Sequence, residues 1–144
     1  MQEQNYKNHG RMVTGFHYVL SMIILITFIM SLINLYQEIQ AGEGILEPLM
    51  LVLLTISILL VAWFARIFPL KAQDRAIRAE ENFRHYVITG KPLDSTLRMG
   101  QIIALRFASD AELPVLAQKA VSENLSNKDI KQLIKQWKSD FYRV

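Results

Sequence analysis

The sequence predicts an all-α protein: a two-helix transmembrane hairpin followed by a small cytoplasmic helical domain of three to four helices. Three observations predict it. Val13 to Tyr36 holds no formally charged residue, and Pro48 to Phe68 holds only Arg66. Each run reaches the roughly 20 apolar residues that a helix needs to cross a hydrocarbon core about 30 Å thick. The stretch between them, Gln37 to Glu47, carries Glu38, Glu43 and Glu47 and no base. Bases lie instead on the far sides, Lys7 and Arg11 before the first run and Arg66, Lys71, Arg75 and Arg78 at the end of the second. The positive-inside bias then puts both termini in the cytoplasm and the acidic loop outside.

The composition follows the same division. The chain has 144 residues, 51% of them hydrophobic, and the apolar ones are concentrated in the two runs. After Phe68, 13 Lys and Arg outnumber 9 Asp and Glu. The expected map is a cytoplasmic N-terminal segment at 1–12, the hairpin at 13–68 with spans at about 13–36 and 48–68, and a cytoplasmic helical domain at 69–144. A tail of that size folds around a small core only, so packing on membrane, partner or another copy would add stability. The first apolar run exceeds the roughly 7 to 15 residues of a signal-peptide core, which makes it an uncleaved anchor. The absence of cysteine excludes disulfides, thiolate metal sites and thiol catalysis.

Each span has features beyond its length. Tyr6, Phe16, Tyr18, Tyr36, Trp63 and Phe64 fall at or near the expected membrane boundaries, where amphipathic rings sit well. Arg66 lies near enough to the cytoplasmic face to extend its guanidinium out of the hydrocarbon. At 100° per residue, Thr14, His17, Ser21, Thr27, Ser31 and Asn34 share an arc of roughly 160° on the first span. Lipid does not reward such a face, but a neighbouring helix does, so His17, Ser21, Thr27, Ser31 and Asn34 are candidate helix–helix contacts. Thr27 and Ser31 also form a small-xxx-small pair. The second span offers Thr55 and Ser57 in return. His17 sits about one turn inside the first span, and no Asp, Glu or Lys in either run continues a proton path from it.

In the tail, Pro69 is expected to break the second span from the helix beyond it. Leu70 to Thr89 then reads as an amphipathic helix with Ala76, Ala79, Phe83, Tyr86 and Val87 at helical spacing. Asp74–Arg78, Glu80–Arg84 and Glu81–His85 are its i,i+4 pairs, and Gly90 and Pro92 end it. Asp94 or Ser95 caps a second helix running to about Ala108, apolar around most of its girth and so expected in the centre. Ser109 with Glu112 reads as the capping box of a third, with Pro114 tolerable in or just after its first turn. Ser126 with Asp129 opens the last helix, whose apolar face is Ile130, Leu133, Ile134, Trp137 and Phe141. Beside it Lys128, Lys131, Lys135 and Lys138 repeat at spacings of three, four and three. Such a stripe suits an anionic leaflet or a partner, and together with Arg66, Lys71, Arg75 and Arg78 it forms the set of candidate lipid or partner contacts. It also suits nucleic-acid phosphates, and the Asn124-Leu125-Ser126 turn resembles that of a helix-turn-helix.

Nothing in the pattern points to catalysis. His9, His17 and His85 lie far apart, without metal-ligand spacing. The Gly10-to-Gly15 spacing lacks the lysine of a phosphate loop. Glu80 and Glu81 are neighbours on a helix and so diverge. No cofactor or metal is expected.

The run FPLKAQDRAIRAEENFRHY, Phe68 to Tyr86, and the run LRMGQIIALRFASD, Leu97 to Asp110, with the opening YKNH at Tyr6 to His9, together resemble an uncharacterised bacterial family of two-span inner-membrane proteins with a helical cytoplasmic tail. The resemblance implies topology and class, with no activity to transfer. The expected role is therefore a non-catalytic accessory or scaffold subunit of the bacterial inner membrane, docking its cytoplasmic domain on a larger complex or self-associating. The alternatives are a membrane-tethered nucleic-acid-binding regulator and a homo-oligomeric transporter or channel component; nucleic acid is the weaker partner.

Overall fold

The computed structural model describes Asn5, Tyr6, Gly10 and residues 12–140. Lys7, His9, Arg11 and Phe141, named above from the sequence, lie outside the described residues. Among the described residues there are five α-helices and no strand. The chain divides into two compact units, one spanning Met12–Phe68 and the other containing Pro69–Val144.

In the first unit, helical structure begins with a π-helical turn over Gly15–Leu20 and continues as α1, Ser21–Ala41. The wider turn was not visible in the periodicity. It shifts register, so that the Ser21 hydroxyl reaches back five residues to the Phe16 carbonyl (3.4 Å). The helix also runs further than expected, through Gln37 to Ala41. It ends where Gly42 takes a left-handed φ of 72°, with its amide and that of Glu43 closing on the carbonyls of Ile39 and Glu38. The acidic loop is accordingly shorter than Gln37–Glu47, because the next helix already starts at Leu46.

That second helix, α2, is Leu46–Thr89, and it passes through Pro69 without interruption. The expected break is therefore corrected. Proline withdraws one amide donor and crowds the preceding turn, a penalty that does not have to end a helix when the residues on both sides are held. Here Phe64 and Phe68 stack on the turn before it, with ring centroids 5.2 Å apart. The α2 terminus is as expected: Gly90 adopts φ 73° and donates its amide to Tyr86 O at 2.8 Å.

The second unit is organised around α3, Met99–Leu105, α4, Leu113–Ser122, and α5, Asn127–Leu133. The apolar segment expected in the centre is there: Ile102, Leu105, Phe107 and Ala108 are buried, packed with Leu113, Ala120 and Ile130. Helix α3 starts later than its expected cap because Asp94 spends its carboxylate on a local turn. Its Oδ1 accepts from the amide and hydroxyl of Thr96 at 2.8 and 2.7 Å. Gln101 caps α3 instead, its Oε1 accepting the Arg98 amide at 2.8 Å. The close approach of α3 to α5 falls at Gly100, where a methyl group would run into the Asn127 side chain.

Two further expectations change. Ser109 and Glu112 form no capping box. The Ser109 carbonyl takes the amides of Glu112 and Leu113, and the Glu112 carboxylate binds the amides of Lys135 and Gln136, both at 3.2 Å. The last helix, expected to continue through Trp137, ends at Leu133. Ile134 is extended, Lys135 and Gln136 form a bend, and Lys138 donates to Phe107 O at 2.8 Å beside a single antiparallel bridge between Ala108 and Trp137. Trp137 thus packs its ring 5.0 Å from that of Phe107 from outside any helix.

Candidate interaction surfaces

In the first unit the large apolar side chains point outward. Ile23, Met30, Leu46, Val61 and Trp63 are all more than half exposed. Only 11% and 17% of the most apolar windows of the two long helices is buried within the protein. The core helix of a soluble domain would be mostly covered, whereas these two present their greasy surface to whatever surrounds them.

The contact between α1 and α2 is built from small polar residues. Ser31 and Thr55 are buried, with their hydroxyl oxygens 3.4 Å apart. Each hydroxyl also donates into its own helix, Ser31 to Phe28 O at 2.8 Å and Thr55 to Val52 O at 2.9 Å. Close packing of two small side chains therefore matters more here than the bond between them. Of the other polar-arc residues, His17 and Asn34 are half-buried, while Thr14, Ser21 and Thr27 are exposed. The Thr27 hydroxyl donates to Ile23 O (2.8 Å), and Nδ1 of His17 lies 3.1 Å from the Val13 amide. Thr27 and Asn34 border one apolar crevice along the helices; Ser21, Trp63 and Arg66 border another.

In the second unit the inward side of α2 is polar. Ile77 and Glu81 are buried, and Arg84 is nearly so. Arg84 Nη1 donates to Glu81 Oε2 at 2.9 Å, Nε to Asp110 Oδ1 at 2.7 Å and Nη2 to Ala108 O at 2.7 Å. This replaces the expected Glu80–Arg84 pair. Asn82 adds a bond from the Leu93 amide to its Oδ1 (2.8 Å). His85 faces the Lys91 carbonyl, 2.8 Å from Nδ1, and not Glu81. The sequence missed Arg84 as the pin of this unit, because Asp110 and Ala108 are distant along the chain; the i,i+3 spacing to Glu81 was its one local signal.

The apolar side of this amphipathic helix is not the side that packs on its own unit. Ala76, Ala79, Phe83, Tyr86 and Val87 are all exposed, Phe83 at 69% and Val87 at 66%. Lys71, Arg75 and Arg78 are exposed as well, and Arg66 is partly so.

The four lysines do not form one helical stripe. Lys128 and Lys131 lie on α5, Lys135 and Lys138 on the non-helical segment beyond it. Lys131 Nζ sits 5.8 Å from the centre of the Phe107 ring, and Lys138 borders a groove with Glu80, Glu81 and Arg106. Arg106 is buried, its Nε 3.2 Å from Asp140. The groove mixes both signs of charge. Among the described residues no three His, Asp or Glu side chains are grouped to hold a metal ion.

A family model matches residues 1–144. The chain belongs to DUF6526, a family of unknown function. No curated protein and no solved structure matches it. Family membership thus carries no activity to this chain, and a functional reading has to rest on the geometry of its surfaces.

Proposed function

We propose that this member of DUF6526 is a non-catalytic membrane-anchored accessory or scaffold subunit. Its two apolar helices form a hairpin in a bacterial inner membrane, and its helical unit docks from the cytoplasm on a larger assembly. The observation that carries the reading is the outward-facing apolar surface of both long helices, with so little of it buried in the protein. Burial of apolar surface is worth about 25 cal/mol per Å², so side chains of this size are not left in water along two whole helices. The orientation rests on the charge asymmetry, with three acids between the spans and bases beyond both ends.

The nucleic-acid alternative loses geometric support, since Lys135 and Lys138 lie off α5 and the helix is only seven residues long. The test is a mild-detergent pull-down of the tagged full-length protein from native membranes, followed by mass spectrometry. Recovery in stoichiometric amounts with other membrane proteins supports an accessory role. Recovery of the chain alone, or release from membranes by alkaline carbonate, overturns it.

A further inference from the structure

Beyond Pro69, α2 has two different sides. Ile77, Glu81 and Arg84 hold the chain's own helical unit. About 150° around the helix, at 100° per residue, lie Ala72, Ala76, Ala79, Phe83 and Tyr86. All five are exposed, Phe83 at 69% and Tyr86 at 54%, and Val87 at 66% borders them. Their spacings are four, three, four and three. Spacings of four and three give one narrow face on a helix of this length, and that seam can meet a second helix along all of it. Three alanines allow two backbones to approach closely, and the aromatic pair fills the seam toward its C-terminal end.

We propose that this seam pairs with the same seam of a second copy, the two helices running parallel and in register. The flanking charges select that occupant. Arg75 borders the seam on one side and Glu80 on the other, five residues on; both are exposed, and neither enters an ion pair among the described residues. In a parallel pair the residue at Arg75 faces the one five later on its neighbour. Each Arg75 therefore meets Glu80 of the second copy, and symmetry makes the bond twice. An antiparallel pair sets each flank against its own kind and loses both bonds. Two copies inserted the same way in one bilayer are already parallel, and that support rests on the membrane reading; the seam and its charges do not.

The test uses the full-length protein in native membranes, where an introduced cysteine is the only one in the chain. Ala76→Cys and Ala79→Cys should form disulfide-linked dimers on mild oxidation, since facing seam positions fall within disulfide reach. Arg78→Cys, on the same helix but off the seam, should give at least about tenfold less. In the Ala79→Cys chain, Arg75→Glu or Glu80→Arg should each lower the dimer fraction several-fold, and the two together should restore it. Trp137 emission of each chain purified in a Trp63→Phe background, unchanged across the set, reports that the helical unit stays folded. Equal crosslinking at Arg78→Cys, no recovery in the charge swap, or crosslinks to a different protein alone would each overturn the pairing. So would lack of any dimer while a probe at Phe83 is quenched by brominated lipid, which assigns the seam to the bilayer. Crosslinks to a different protein alone would sink the pairing while supporting the accessory reading, so the two readings fail separately.

Discussion

Replacing Arg84 by methionine removes the pin between α2 and the rest of its unit, and its effect can be estimated. Glu81, 6% exposed, would keep its carboxylate buried with its cation gone. Breaking a buried pair by deleting one partner costs about 3–5 kcal/mol, much of it the stranded charge. Asp110 adds little, because its side chain is 73% exposed and solvent screens the pair. At roughly 0.05–0.15 kcal/mol per residue, a unit of this size has about 4–11 kcal/mol in total. The variant therefore loses a large share of its stability. Each kcal/mol moves the midpoint of so small a unit by about 4–8 °C, so a fall of at least about 12 °C is expected. The assay is thermal unfolding of the full-length protein in a Trp63→Phe background, where Trp137 is the one remaining tryptophan. Replacing both Glu81 and Arg84 by methionine should recover most of the loss, since a well-packed apolar pair substitutes for a buried ion pair at little cost. A single-variant shift below about 3 °C, or a double variant as unstable as the single, would show that the Glu81–Arg84 pair does not hold the unit together.

Phe107→Ala should cost about 3–5 kcal/mol, because the ring is fully buried against Trp137, and Trp137 emission should shift to the red in the folded variant as its neighbour is lost. Ser31→Ala should be nearly neutral. Ser31→Leu should weaken the α1–α2 contact by about 1–3 kcal/mol through overpacking against Thr55, read as loss of crosslinking in a cysteine pair placed across the two helices. The Asp129 carboxyl is held below its ordinary value of 3.8 chiefly by the Ser126 hydroxyl bond and then by the Ser126 amide; Asp94 is lowered in the same way by Thr96. Depressed acids contribute stability that is present above the unfolded value and lost as pH falls through the folded one, so the unit should weaken below about pH 4. Ser126→Ala should return the Asp129 titration, followed by carboxyl NMR, toward 3.8.

The sequence revealed what depends on neighbours along the chain. The Ser126–Asp129 cap, the left-handed Gly90 and the central place of Ile102, Leu105 and Phe107 all come from local chemistry and apolar content. What stayed hidden was settled at long range. Asp94 has two local uses, and the turn to Thr96 displaced the helix cap. Glu112 reads as a capping residue until Lys135 and Gln136 arrive to take its oxygens. The same capture, with Trp137 drawn onto Phe107, ends α5 early and disperses the lysines. On α2 the apolar spacing picked out residues that share one face, but the Arg84 network packs the opposite side on the unit and leaves Phe83, Tyr86 and Val87 exposed. The candidate surfaces were thus legible as residues, and their partners were not.

The most direct measurement is the sidedness of the two ends of the proposed hairpin. Gly44→Cys places a lone thiol in the turn between the long helices, and Ser95→Cys places one in the tail, both at exposed positions. A membrane-impermeant maleimide applied to intact spheroplasts should label the Gly44→Cys chain at once, and the Ser95→Cys chain only after the membrane is opened. Equal labelling of both before opening would contradict a membrane hairpin with a cytoplasmic helical unit.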